Sequence, residues 1–528
     1  MSNKWGYIVP FALALGLLIG LVTGVFVGNG ASQMSTKFSG GNGKVEELID
    51  FIDSKYVDTV NKKALMETAI TEMLQSLDPH SDYIPAEYFQ QAHEQLDGRF
   101  VGIGVRFLIH RDTLNVTHII AGGPSERVGL KPGDKIVAVD GNNVAGVGLK
   151  NEDVFTNLKG PEGSDVVLSI LRDGKKVEQK ITRGPVEVSS LSAAYMLNKK
   201  VGYIKLDRFA GISAREFREA MDRLNEMGME HLVFDLRNNG GGYMNAALGI
   251  LDELFGERVL LVYTEGEHED RQDYFSRGKG ALADDKVVVL INENSASASE
   301  IVAGALQDND RGIIVGRRSF GKGLVQNEFP LSDGSAFRLT VSRYYTPSGR
   351  SIQKPYGNGV DYEMEVYNRY AHGEMYSADS MVVADSLKFK TKEGRTVYGG
   401  GGIYPDYFVP QDTSERTSKY VRDLFYKSLF LHYAYEYATT HRELAKNKTY
   451  FIKSFEITDA MLTEVAVMGE ELFGVEAKPE ELIKYKAQLA RLLKANIADQ
   501  LWTASEYYEV RNYDDIDIKQ AVEVIELK

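Results

Sequence analysis

Four short apolar runs, Gly202 to Leu206, His231 to Leu236, Lys286 to Asn292 and Gly312 to Gly316, alternate with helix-like stretches near Ser213 to Met227 and Ser297 to Gln307. Runs this short and this apolar read as strands buried on both faces, and their interleaving with helices predicts a layered α/β fold. Ligand sites in such sheets lie at the carboxyl ends of the strands. Three of the four runs are followed by Gly/Ser-rich segments, and those segments are where chemistry is expected.

The flanks differ in kind. Lys4 precedes an uncharged, mostly apolar run from Trp5 to about Gly28, long enough for the roughly 20 residues that cross a bilayer. Residues 1–30 therefore read as a retained signal anchor, in preference to a cleaved signal peptide, and either reading exports the rest of the chain. Residues 45–97 read as helical, with Val45, Leu48, Ile49 and Ile52, then Leu65, Ile70, Met73, Leu74 and Leu77 at three- and four-residue steps, a run that Asp78-Pro79 breaks. Residues 98–185 switch to short β-rich segments separated by Gly122-Gly123-Pro124, Pro132-Gly133-Asp134, Asp140-Gly141 and Asp173-Gly174. The α/β region runs from about 190 to 410, with further strand-like sequence from Leu331 to Gln353. Residues 411–528 are helical again, Pro479 opening a helix whose stripe is Leu482, Tyr485, Leu489, Leu492 and Leu493.

Composition closes several routes. The formal charge is −14 and there is no Lys/Arg-rich block, so no electrostatic footprint for nucleic acid exists. With no cysteine in the chain, disulfides, Cys-based metal centres and a thiol nucleophile are excluded.

At the strand ends, Ser295-Ala296-Ser297-Ala298-Ser299-Glu300 opens an Ala-rich helix, where a serine hydroxyl lies near unpaired N–H groups and the positive helix end. The same residues also suit a plain N-cap. Asp235-Leu236-Arg237-Asn238-Asn239-Gly240-Gly241-Gly242 offers unobstructed backbone amides, fit for an oxyanion hole or a flexible turn. Nine histidines are present, none in a nucleophile-elbow context. Lys322, in Ser319-Phe320-Gly321-Lys322-Gly323, can replace histidine as a base if burial lowers its pKa, with Gln326 four residues on to orient the amine. Gly316 to Lys322 also matches the start of a phosphate-binding loop, but Gly323 stands where Ser or Thr should hold magnesium.

Together these segments resemble the C-terminal processing peptidases (peptidase family S41), serine proteases with a Ser–Lys dyad and a PDZ domain. Arg343-Tyr344-Tyr345-Thr346-Pro347-Ser348-Gly349-Arg350-Ser351-Ile352-Gln353, Asp78-Pro79-His80-Ser81 and Gly402-Ile403-Tyr404-Pro405-Asp406 extend the likeness over about residues 45 to 410. The resemblance implies a multidomain α/β protein with a crotonase-like, ClpP-related protease core. It implies Ser297 as nucleophile, Lys322 as general base, Gln326 as its assistant, and amides of Ala298 with Gly240 or Gly241 as the oxyanion hole. It makes the β-rich module a PDZ domain whose Gly102-Ile103-Gly104-Val105 loop takes a peptide's terminal carboxylate. Lys159 stands where many relatives carry arginine, which puts coupling through that position in question. The expected protein is an envelope endopeptidase with no metal or organic cofactor, anchored in a bacterial inner membrane with its catalytic part in the periplasm, that cuts substrates with free C-termini. Residues 411–528 are expected to form a variable cap, an oligomerisation element or an adaptor-binding surface. A membrane-anchored PDZ adaptor with an inactive protease fold is the alternative, and three intact catalytic positions speak against it.

Overall fold

The computed structural model describes residues 43 to 527 apart from 281, 283, 284, 358, 382, 383 and 413 to 417. The expected membrane segment at 1–30 lies outside the described residues, and among those described no helix is long and apolar enough to cross a membrane. The chain divides into a unit ending at Leu77 and a unit from Asp78 onward. In the first, helices Lys44–Lys55 and Lys62–Gln75 form, the second capped by Asn61, whose side chain accepts from the Ala64 N–H. The second helix ends at Gln75, and the expected break at Asp78-Pro79 is a turn built on the Asp78 carboxylate. That carboxylate accepts the N–H groups of His80 and Ser81 and the Ser81 hydroxyl, so the chain turns and enters strand Asp82–Ile84 before helix Ala86–Asp97.

The β-rich module is a five-strand antiparallel path in the order Val105–His110, Thr113–Ile119, Lys135–Val139, Asp165–Arg172 and Lys175–Thr182, with helix Asn151–Leu158 beside it. Its entry and exit strands, Arg99–Gly102 and Gly184–Glu187, pair with each other. The module is therefore inserted through one narrow neck.

The core sheet has the order Leu191–Met196, Val201–Leu206, His231–Asp235, Val287–Ile291, Gly312–Gly316, Tyr407–Phe408, parallel from the second strand onward. Helices Ser213–Glu226, Met244–Asp252 and Ala298–Asp308 bury their apolar sides on one face. The last helix of the chain, Ile516–Leu527, lays Ile518, Ala521, Val524 and Ile525 on the other, against Tyr203, Val233, Val288, Leu290 and Val315. Each fully buried aliphatic chain in these layers is worth about 1.5–3 kcal/mol. A second sheet joins strands Asp82–Ile84, Ala336–Tyr345, Leu260–Glu265 and Gln272–Phe275, with Leu324–Pro330 paired to Ala336–Tyr345 as a hairpin. The strand expected to reach Gln353 ends at Tyr345, because Thr346 to Gln353 is used to anchor the helix Ala298–Asp308. Arg350, fully buried, donates to Asp308 Oδ1 and Gln307 Oε1 at 2.7 Å each, at the carboxyl end of that helix.

From Ser418 on, the remaining helices build their own core around Leu429, Phe430, Phe451, Leu462, Leu489 and Leu493. The expected stripe breaks at Tyr485, where helix Pro479–Lys484 gives way to Lys486–Leu501.

Candidate active site

Ser297 begins the fully buried helix Ala298–Asp308 with φ +56° and ψ −113°, a conformation that L residues avoid and that persists only when the surroundings impose it. The imposing group is Glu300, fully buried one turn into the helix. Its Oε2 accepts the Ser297 N–H at 2.8 Å and the Lys322 N–H at 2.9 Å. Its Oε1 accepts the Ser319 hydroxyl at 2.5 Å and the Gly321 N–H at 2.7 Å. One carboxylate thus ties the serine loop to the lysine loop. Burial pushes it up to about 7, against the four donors that favour the ionised form. The same bonds dispose of a nucleotide site, since the Gly321 and Lys322 amides that would cradle phosphate are spent on Glu300.

A second tie comes from the far sheet. The Tyr344 hydroxyl lies 3.1 Å from the Ser297 carbonyl and 2.5 Å from that of Lys322. Burial, with the nearby Glu300 charge second, drives this phenol well above its ordinary range, so it stays a donor. Lys322 itself is largely desolvated, which lowers its pKa; Asp78 opposes the shift and Arg338 adds to it. His80, 2.8 Å from the Tyr362 hydroxyl, is held down to about 4 by burial and then by Lys322, and is neutral at ordinary pH.

Gln326 lies on strand Leu324–Pro330 opposite Thr340. Its Nε2 donates to Thr340 Oγ1 at 3.0 Å, leaving Oε1 as the acceptor end. The Thr340 N–H in turn donates to Ser81 Oγ at 3.1 Å, which connects the Asp78-Pro79-His80-Ser81 turn to the same strand.

The glycine loop packs directly on the serine. A Cβ on Gly241, where φ is +101°, would stand 2.8 Å from Ala296 O and from Ser297 Cβ and 3.0 Å from Ala298 N, so only glycine permits this approach. The Gly241 N–H itself donates to Asn239 Oδ1 at 2.8 Å. Of the three expected oxyanion amides, those of Gly240 and Ala298 have no acceptor among the described residues.

In the β-rich module, Gly102 ends one strand, Ile103 is buried, Gly104 has φ +79° and Val105 begins the edge strand. The carbonyls of Ile103 and Gly104 accept from Ser125 and Ile120, fixing the loop from behind. Phe107 on the edge strand and the half-exposed Phe155 on the facing helix stand 5.8 Å apart. Lys159 lies over the Phe100 and Phe155 rings and pairs with Glu94 on helix Ala86–Asp97. Its neighbour His93 bonds Glu328 Oε1 at 2.7 Å, on the strand that carries Gln326. Lysine at this position is therefore ionically connected.

Sequence reasoning quoted Glu300, Tyr344 and Asp78 within segments but gave them no role. A glutamate three residues after a helix-opening serine reads as an ordinary capping acid, and the contacts that make it more are tertiary.

Family models match along the chain: peptidase family S41 over residues 200–366, a PDZ domain over 101–182, the N-terminal domain of an activating protease over 27–88, and a family of unknown function over 420–503. A carboxy-terminal-processing protease of Bartonella bacilliformis is 34% identical over 377 residues, 70% of this chain and 84% of that protein. A carboxyl-terminal-processing protease of a Synechocystis species is 36% identical over 295 residues, 54% of this chain and 68% of its own length. A solved photosystem II D1 C-terminal processing protease is 30% identical, aligned over 59% of this chain and 85% of that one with a TM-score of 0.34. The chain belongs to the C-terminal processing proteases of peptidase family S41. It is a serine-type endopeptidase that carries a PDZ domain.

Proposed function

We propose that Ser297 is the nucleophile and Lys322 its general base, acting on substrates whose free C-terminal tails are taken by the PDZ module. The observation that carries this reading is the shared clamp: Glu300 and Tyr344 each bond both the Ser297 and the Lys322 segments, beside a glycine loop in contact with Ser297. Desolvation favours the neutral amine of Lys322, so it can take the hydroxyl proton as Ser297 Oγ attacks the scissile carbonyl. The oxygen of the tetrahedral intermediate gathers the Ala298 and Gly240 amides, aided by the helix start. The lysine ammonium, oriented by Gln326 Oε1, then returns the proton to the leaving amine. Water repeats the sequence to free the acyl group.

The tail reaches this site from the PDZ groove, where the Gly102 to Val105 loop faces the terminal carboxylate and the Phe107–Phe155 pair favours apolar side chains. Cleavage of one peptide in its acid and amide forms tests the reading, together with Ser297→Ala. Full loss in Ser297→Ala and preference for the acid support it; wild-type turnover in Ser297→Ala overturns the nucleophile. The setting we propose is a bacterial envelope, with membrane attachment through residues 1–30 and self-association or adaptor binding through residues 411–528. Recovery of the full-length protein in the soluble periplasmic fraction would remove the anchor.

A further inference from the structure

We infer that the last helix of the chain is a positioning element for catalysis: Asp517, assisted by Asp515, ties together the bases of the three loops that carry the glycine amides, Ser297 and Lys322. The inference rests on the dyad reading above. Arg237, whose side chain is 13% exposed, is the second residue after the strand that opens the glycine loop. It grips Asp235 at the end of that strand, but its Nη1 is given to the last helix, at 2.9 Å from Asp515 Oδ2 and 2.7 Å from Asp517 Oδ2. Arg317 is the first residue after the strand that leads to Lys322. It donates to Glu293 Oε2 at 2.9 Å, in the loop that leads to Ser297, and its Nη1 stands 3.8 Å from Asp517 Oδ1. Asp517 is 5% exposed, and its Oδ1 has no hydrogen-bond partner among the described residues. A single buried carboxylate is therefore shared by two arginines at the starts of separate catalytic loops, each also paired with another carboxylate and one of them thereby bonded to the third loop.

From Arg237 the positions propagate through short bonds. Asn238 exchanges hydrogen bonds with Asn292 at 2.9 Å in each direction. The Asn239 carbonyl accepts the Ala296 N–H and the Ser299 hydroxyl, on both sides of Ser297. Arg237 and Asn238 cannot shift without moving Gly241 against Ser297. A misplacement of about 1 Å at such a site can cost about a hundredfold in rate. The apolar side of the same helix lies on the sheet beneath these loops, so the carboxylates are held on a rigid element. The charged side faces a cavity of about 440 Å³ walled in part by Arg237, Arg317 and Asp517, which leaves room for conservative substitution.

The test uses the full-length enzyme and a fluorescence-quenched peptide with a free apolar C-terminus. Asp517→Asn keeps an acceptor for Arg237 but removes the charge shared with Arg317; kcat should fall about tenfold or more while KM stays within about twofold, because the PDZ groove is untouched. Asp517→Glu, which restores the charge, should recover most of the lost kcat. Arg491→Gln, which removes an exposed pair with Asp514 on the rim of the same cavity, should keep wild-type kcat. Wild-type kcat in folded Asp517→Asn overturns the inference, as does failure of Asp517→Glu to exceed it. If Asp517→Asn does not fold, Asp515→Asn decides by the same criterion. Ser297→Ala, assayed alongside, separates the two levels: activity there defeats the dyad reading, whereas an inactive Ser297→Ala with an unimpaired Asp517→Asn defeats only the role of the last helix.

Discussion

Lys322 works as a base only when neutral, so the rate limb it controls has a defined sign. Burial lowers its pKa, and kcat/KM should rise with pH along a limb centred below the ordinary lysine value of about 10.4. A profile that does not change from mildly acidic to alkaline pH, with chemistry rate-limiting, would contradict a titrating lysine. The same shift has a stability consequence. A lysine whose folded pKa is depressed costs stability wherever it is protonated in both states, and the cost disappears as pH rises past its unfolded pKa. Lys322→Met should therefore raise Tm at neutral pH and lose that advantage toward about pH 10. Glu300 has the opposite sign: pushed up to about 7 by burial, it contributes stability below its unfolded range that is lost as pH rises through about 7. Glu300→Gln should flatten Tm between about pH 5 and pH 8. Because an amide nitrogen cannot accept the N–H groups that Glu300 holds, kcat should also fall about a hundredfold. Retained kcat in Glu300→Gln would mean that the two loops are held by Tyr344 alone.

At the scale of elements, the glycine loop offers a paired comparison. Gly241→Ala places a methyl 2.8 Å from Ala296 O and Ser297 Cβ at positive φ, so both Tm and kcat should drop, the latter by about a hundredfold or more. Gly240→Ala meets nothing within 4 Å and keeps its amide, so folding and most activity should survive. Equal damage from the two would mean that the loop does not pack on Ser297 as described. The loops themselves were legible in the sequence, because apolar strand runs and Gly/Ser-rich ends are local patterns. The serine segment, Lys322 and the glycine run could be picked out from them as candidates, while the family resemblance singled out Ser297 among its neighbours. Glu300, Tyr344 and the turn at Asp78 could not be given roles, since each acts across sheets through partners far away in sequence. The break of the helical run at Asp78-Pro79 was legible as a local pattern, but the strand after it was not: Asp82–Ile84 becomes a strand only because Ala336–Tyr345 lies beside it. The stripe after Pro479 was visible, but an amphipathic helix does not state what it covers, so the place of Ile516–Leu527 on the core sheet came only with the structure.

At the scale of the whole molecule, the PDZ module enters and leaves through the paired strands Arg99–Gly102 and Gly184–Glu187, so residues 103–183 can be excised across the Gly102–Gly184 pair without stretching the chain. That deletion should weaken cleavage of tailed protein substrates more than cleavage of casein, and C-terminal amidation should have the same selectivity; equal loss on both substrates would mean that the module serves the core and not the tail. The activity expectations all depend on one covalent event. The most direct test is mass spectrometry of the enzyme after reaction with an acylating serine-protease probe, in wild type, Ser297→Ala and Lys322→Ala. A single adduct mapped to Ser297 is expected in wild type, with none in Ser297→Ala and little in Lys322→Ala; an adduct on another residue, or undiminished acylation of Ser297 without Lys322, would contradict the Ser297–Lys322 assignment.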